Sequence, residues 1–255
     1  MFCERFSDKV VMVTGAGRNI GKAIALAFAG EGGKIAVCDL NLVDAEATAA
    51  EIRASGKSAE AFSFDLRNKD EILRAVADIE KKLGSVDVLV NNAGGSAGLL
   101  GKLTRFVDAE QETLDFVLDL NLRGTMMCIQ AVLKTMIEKK YGRIVSISSI
   151  AGVCGIADRV DYSAAKAGIA GMTKALALEV GKYNICVNAV APGMIERNRG
   201  KCPGSTVIGE DGRAGTVEEL ADFVVSVASN AYLTGQEYII DGGRTLGPKG
   251  IGVHV

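Results

Sequence analysis

The 255 residues are 48% apolar, enough for one sizeable core, and 29 Lys plus Arg stand against 31 Asp plus Glu for a net charge of -2. A chain this long reads as one large α/β domain, and a charge this near zero gives no electrostatic footing for nucleic acid or an anionic membrane. A small, soluble substrate is the expected partner.

The six cysteines are scattered without a CxxC pair and the single histidine is His254, so neither a disulfide framework nor a metal site is expected. The thiols read as buried apolar groups in a reducing cytosol. No uncharged run exceeds 14 residues, and Glu4, Arg5, Asp8 and Lys9 interrupt the beginning, so no membrane span or signal sequence is expected and the protein is read as cytoplasmic.

The first apolar run, KVVMVT, has strand length and leads through TGAGRNIG into the helical pattern NIGKAIALAFAGEG. The first amides of such a helix point outward with the positive end of its dipole behind them, which suits a pyrophosphate. The candidate contacts are Gly15, Gly17, Arg18, Asn19, Ile20 and Gly21. Asn19 stands where many such turns carry glycine, and asparagine is the next most tolerant residue of positive φ. The plainer reading is a tight turn with no ligand.

The second strand, KIAVCD, ends in Asp39, 18 residues past Gly21. A carboxylate there can accept hydrogen bonds from both adenosine ribose hydroxyls and repels a 2′-phosphate, favouring NAD over NADP. Arg18 argues the other way, since a guanidinium can pair with that phosphate. A like-charge contact costs more than the pair returns, so NAD is the expected cofactor.

Helical and strand patterns then alternate: LVDAEATAAEIRASG, SAEAFSFD, NKDEILRAVADIEKKLG, VDVLVNN, the long EQETLDFVLDLNLRGTMMCIQAVLKTMIEKK, GRIVSISS, YSAAKAGIAGMTKALALEVGK, NICVNAVAPG, VEELADFVVSVAS and QEYIIDGG. Strands apolar on both faces, each followed by a helix, require a parallel sheet between two helical layers. A doubly wound α/β fold is expected. No linker or internal repeat opens a second domain, and the glycine-rich, basic stretch from Ile195 to Arg213 reads as a surface segment.

Strand GRIVSISS ends in Ser148 and Ser149, and YSAAK sets Tyr162 and Lys166 four residues apart on one helical face. A tyrosine with an ordinary pKa of ~10 is a poor acid or base near neutrality, but an adjacent ammonium favours its phenolate. Ser149 can donate to a substrate carbonyl while Tyr162 exchanges the proton and the cofactor carries the hydride. The plainer alternative is a helix that happens to carry an exposed Tyr and Lys.

The combination resembles the short-chain dehydrogenase/reductase family from Lys9 to about Gly243. TGAGRNIG is similar to the family's TGxxxGxG with Asn19 for the middle glycine, NNAG to the segment spanning Asn92, Ala93 and Gly94 that supports the sheet and contacts the cofactor, and YSAAK to YxxxK. Ser149 stands thirteen residues before Tyr162, DLNLRG resembles the segment of the active-site asparagine at Asn121, and APG resembles the motif beside the nicotinamide, with Pro192 and Gly193. Asp65 and Leu66 match the pair that reads the adenine ring.

The resemblance implies a Rossmann-type sheet of seven parallel strands with helices on both faces, a homotetramer assembled through the long helices, and Asn121, Ser149, Tyr162 and Lys166 as the catalytic set. Tyr162 and Lys166 would also touch the cofactor. Two features depart from the pattern: PGMIER places Arg197 where a threonine commonly anchors the carboxamide, and the substrate lid, at about 194–212, looks short. Arg197, Arg199 and Lys201 read as a solvated basic loop rather than an anion site.

The expected activity is NAD-dependent interconversion of a secondary alcohol and a ketone, with a polyol, sugar or similar polar substrate favoured because few charges stand in 95–103 and 150–160. The alternatives are an NADPH-dependent 3-oxoacyl-carrier reductase and a non-catalytic dinucleotide sensor.

Overall fold

The computed structural model describes residues 4–196 and 212–246. Seven strands, β1 (Val10–Thr14), β2 (Lys34–Asp39), β3 (Ala59–Ser63), β4 (Val88–Asn91), β5 (Gly142–Ile147), β6 (Ile185–Pro192) and β7 (Glu237–Ile240), form one sheet in the order β3-β2-β1-β4-β5-β6-β7. Every neighbouring pair is parallel. The doubly wound α/β sheet read from the alternation, and the seven-stranded Rossmann-type form implied by the resemblance, are the ones observed.

Period-two alternation explains why the strands are apolar throughout. Val11 and Val13 of β1 face a core built with α1 (Asn19–Gly30), α2 (Leu42–Ala54) and α8 (Val217–Ser229), while Val10 and Met12 face the opposite core against α3 (Lys69–Lys82), α5 (Gly124–Lys139) and α7 (Val160–Val180). The strand order reverses between β1 and β4, opening a crevice at the carboxyl ends of those strands.

Helix starts differ in a way that bears on the crevice. Asn41 caps α2 by accepting from the Val43 amide at 3.0 Å, and Asn68 caps α3. Thr216 and Glu219 form a reciprocal box at α8. The start of α1 has only Arg18, in extended conformation and with no side-chain cap. It is the start that faces the crevice.

The long helical pattern expected from Glu110 onward divides into α4 (Gln111–Leu118), a π turn (Asp119–Arg123) and α5. The Thr125 hydroxyl, in the first turn of α5, donates to the Asn121 carbonyl of this π turn at 2.9 Å. The continuous run Gln111–Lys139 is long and apolar enough for a bilayer, but its inner side, with Cys128, Val132 and Met136, is buried on the sheet. A short helix, α6 (Ile150–Cys154), follows β5.

Among the described cysteines Cys38, Cys128 and Cys186 are buried as expected, whereas Cys154 is exposed because α6 ends at the surface there. No cluster of three metal-ligating side chains occurs among the described residues. Arg197, Arg199, Lys201 and most of the lid, together with Cys3, Cys202 and His254, lie outside the described residues. The lid's two ends are joined: Glu196 donates to Gly215 at 2.8 Å, and Gly215 to Met194 at 2.9 Å.

Candidate active site

The turn after β1 needs its glycines for distinct reasons. Gly15 adopts φ +62, and a Cβ there would stand 2.9 Å from the Ala93 Cα. A Cβ on Gly21 would fall 2.0 Å from the Gly15 carbonyl oxygen. Asn19 takes φ 49, so the apparent exchange in the motif occupies the left-handed conformation that asparagine tolerates. The turn keeps its course with a side chain where glycine was expected.

Gly17 lies against β2 and α2 rather than in the crevice. Its amide donates to Asp39 Oδ2 at 2.9 Å, its carbonyl accepts from the buried Thr48 hydroxyl at 3.0 Å, and a Cβ would stand 2.6 Å from Asp44 Cβ. Asp39 is thereby fixed at the mouth of β2, its other oxygen accepting from the Asn41 amide at 3.1 Å. Arg18, exposed beside it, makes no ion pair among the described residues.

Across the switch point the Thr14 hydroxyl accepts from the Asn92 and Ala93 amides at 3.0 and 3.1 Å, and Asn92 Nδ2 donates back to the Thr14 carbonyl at 2.9 Å. The NNAG segment is thus bound to the glycine turn. Gly94 permits the next contact: a Cβ there would stand 2.5 Å from Asn121 Oδ1 and 3.3 Å from Lys166 Nζ.

Asn121 is fully buried in the π turn. Its Oδ1 accepts from the Gly95 amide at 3.0 Å, and its Nδ2 donates to the Gly95 and Val117 carbonyls at 2.8 Å each. Those bonds occupy the amide, so the side chain ties the loop after β4 to α4. π turns recur at functional sites because they reorient backbone carbonyls.

Ser149 is the N-cap of α6, accepting from the Ala151 amide at 3.1 Å, and its hydroxyl hydrogen stays available to another acceptor. Lys166 is buried, donates to the Ile147 carbonyl at 2.8 Å, and stands 5.6 Å from the centroid of the Tyr162 ring. Burial lowers its pKa from 10.5 to about 8. The buried Ser148 hydroxyl holds the Lys166 carbonyl at 3.0 Å.

One cavity of about 540 Å³ joins these parts, from Asp39 and Asp65 through the α1 start to Ser149, Tyr162 and Lys166. Gly15, Arg18, Asn19, Ile20 and Gly21 line it, as do Leu66, Asn92, Ala93, Gly94, Pro192 and Gly193. Gly17 and Asn121 do not; they stand behind the wall and hold it. The cradle fits a dinucleotide, since the glycines keep clear the space that Cβ atoms would fill and the uncapped amides of α1 face it.

A family model described as short chain dehydrogenase matches residues 9–201. The chain belongs to the short-chain dehydrogenase/reductase family. It is 39% identical over 245 residues to a 3-oxoacyl-[acyl-carrier-protein] reductase of Synechocystis sp., covering 93% of this chain and 97% of the relative. It is 36% identical to an NAD-dependent glycerol dehydrogenase of Listeria innocua, covering 94% and 95%. A solved 3-oxoacyl-[acyl-carrier protein] reductase with bound NAD from Brucella melitensis superposes with a TM-score of 0.86 at 33% identity, over 94% of this chain and 92% of that one. As a short-chain dehydrogenase/reductase the protein is an oxidoreductase acting on CH–OH and ketone groups.

Among the lining residues not singled out in the sequence are Thr14, Arg67 and Phe116. Thr14 could have been found as the one hydroxyl in an otherwise apolar strand. Arg67 and Phe116 gave no local signal, since their significance lies in meeting across 49 residues.

Proposed function

We propose that the protein is an NAD-dependent oxidoreductase interconverting a secondary alcohol and a ketone. The observation that carries the NAD reading is Asp39, whose carboxylate lines the cavity and is held there by the Gly17 and Asn41 amides. A 2′-phosphate would meet this charge, and the next residue, Leu40, offers no cation to offset it. The Brucella melitensis relative with bound NAD and the NAD-dependent Listeria innocua relative support the same choice.

In the alcohol-forming direction the Ser149 hydroxyl donates to the substrate carbonyl and Tyr162 gives up its proton to the oxygen. The Lys166 ammonium stabilises the phenolate left behind, and of its three protons one is already spent on Ile147. A nicotinamide held in this cavity beside Tyr162, Lys166, Pro192 and Gly193 would supply the hydride. Asn121 keeps the loop after β4 against α4, closing the floor under Gly94.

For the substrate, two readings have specific support. Few charges stand in 95–103 and 150–160, which favours a polar neutral molecule such as a polyol or sugar. The apolar wall contributed by Leu99 and Leu100, 60% and 43% exposed, favours an acyl or other apolar substituent, in line with the 3-oxoacyl reductases among the relatives.

A panel of polyols, aliphatic secondary alcohols and 3-hydroxyacyl thioesters with NAD+ tests the reading. We expect reduced cofactor with the parent and a loss of about 10²–10⁴-fold for Tyr162→Phe. Equal turnover by that variant would remove the proposed role of Tyr162, and no reduced cofactor with any alcohol would remove the activity.

A further inference from the structure

The loop between β3 and α3 is held unusually tightly for a surface turn. The Asp65 amide donates to Glu71 Oε2 at 2.8 Å, the Asn68 amide donates to the Asp65 carbonyl at 2.9 Å, and Asn68 Nδ2 donates to Glu71 Oε1 at 2.8 Å. The carboxylate of Asp65 is then gripped by Arg67. The Arg67 amide and Nε reach Oδ1 at 2.9 and 3.0 Å, while Nε and Nη2 reach Oδ2 at 3.2 and 2.5 Å.

The guanidinium rests in turn on the Phe116 ring of α4, 4.9 Å from its centroid. An exposed ion pair alone contributes little, because two long side chains must be ordered to make it. Here the partner is two residues away, the fork is bidentate and the aromatic face fixes its plane. All three side chains line the same cavity.

Their place in the sheet says which end of the cavity they serve. With phosphates at the start of α1 and a ribose at Asp39 on β2, the base lies over the end of the next strand outward, β3. Ser149, Tyr162 and Lys166 lie on the other side of β1, past β4.

We propose that Arg67 is a positioning residue for the adenosine end of this cavity, fixing the Asp65 carboxylate from a seat on Phe116. The proposal rests on the dinucleotide reading above. It assigns part of the cofactor affinity to α4, the helix that runs directly into the Asn121 turn.

The test separates the two halves of the ligand. Dissociation constants are measured for ADP-ribose by calorimetry and for reduced nicotinamide mononucleotide by its fluorescence, on the full chain and on Arg67→Ala, Arg67→Lys and Phe116→Leu. Arg67→Ala should weaken ADP-ribose about tenfold, with Arg67→Lys and Phe116→Leu intermediate, while the mononucleotide stays within about twofold. Equal weakening of both ligands would overturn the proposal in favour of a general structural role, and unchanged ADP-ribose affinity would overturn it outright. Should Arg67→Ala fail to fold, Arg67→Lys carries the comparison, because lysine keeps the charge and loses the fork. A parent that binds neither ligand would instead remove the dinucleotide reading itself.

Discussion

Lys166 shows how much of the site can be read from spacing and how much cannot. The four-residue interval to Tyr162 puts both side chains on one face of α7, and that much is legible. Its burial beside Ile147, Gly94 and Ser148 is tertiary and left no mark in the local pattern. The same holds for Asn121, legible as an active-site residue only through the motif around it, and found to spend its side chain on backbone groups. Asp39 was legible because a strand end at a fixed distance from a glycine turn has one geometric meaning.

The burial of Lys166 carries a stability consequence. Its folded-state pKa of about 8 lies below the ordinary 10.5, so the folded protein releases this proton before the unfolded chain does. The penalty of the buried charge, about 3 kcal/mol by its size, is complete below pH 8 and is relieved as the pH climbs toward 10.5. Lys166→Met should therefore lose turnover yet match or exceed the parent in stability at pH 7, with its advantage shrinking above pH 8. Urea denaturation at several pH values checks this, and an advantage constant from pH 7 to 10 would contradict it.

At the level of elements, the expected long helix was right in extent and wrong in regularity. Apolar periodicity cannot distinguish an α-helix from one carrying a π turn, because a single wide turn shifts the register by one residue. What marks the change is Gly124, where a Cβ would stand 2.7 Å from both the Leu66 carbonyl oxygen and Leu66 Cγ. The adenosine-side loop and the start of α5 approach too closely for any side chain. Gly124→Ala should gain about 1 kcal/mol in helix propensity and lose about 1–3 kcal/mol to crowding against backbone, a net destabilisation. A lowered Tm, with weaker ADP-ribose binding because Leu66 must shift, is the expected result; a raised Tm would show that the loop yields freely.

For the whole molecule, alternation of doubly apolar strands with helical patterns was sufficient to foresee a parallel sheet covered on both faces, since no other arrangement buries such strands. The count of seven parallel strands came from family resemblance, while their order and its reversal between β1 and β4 were not read in advance, because strand order depends on which crossovers meet and not on any strand's own residues. The segment 97–108 was the least legible, folding into two short 3-10 turns with Leu99, Phe106 and Val107 exposed. That stretch has no period to read, and it bears on the substrate.

The central claim is that a fixed Asp39 carboxylate makes this cavity one for NAD. Titration of the full chain with NADH and with NADPH, followed by cofactor fluorescence, tests it most directly. The account predicts that NADH binds at least about tenfold more tightly, as a like-charge contact requires, and that Asp39→Ser narrows the gap. NADPH binding as tightly as NADH, or more tightly, would contradict the account and assign the decision to Arg18.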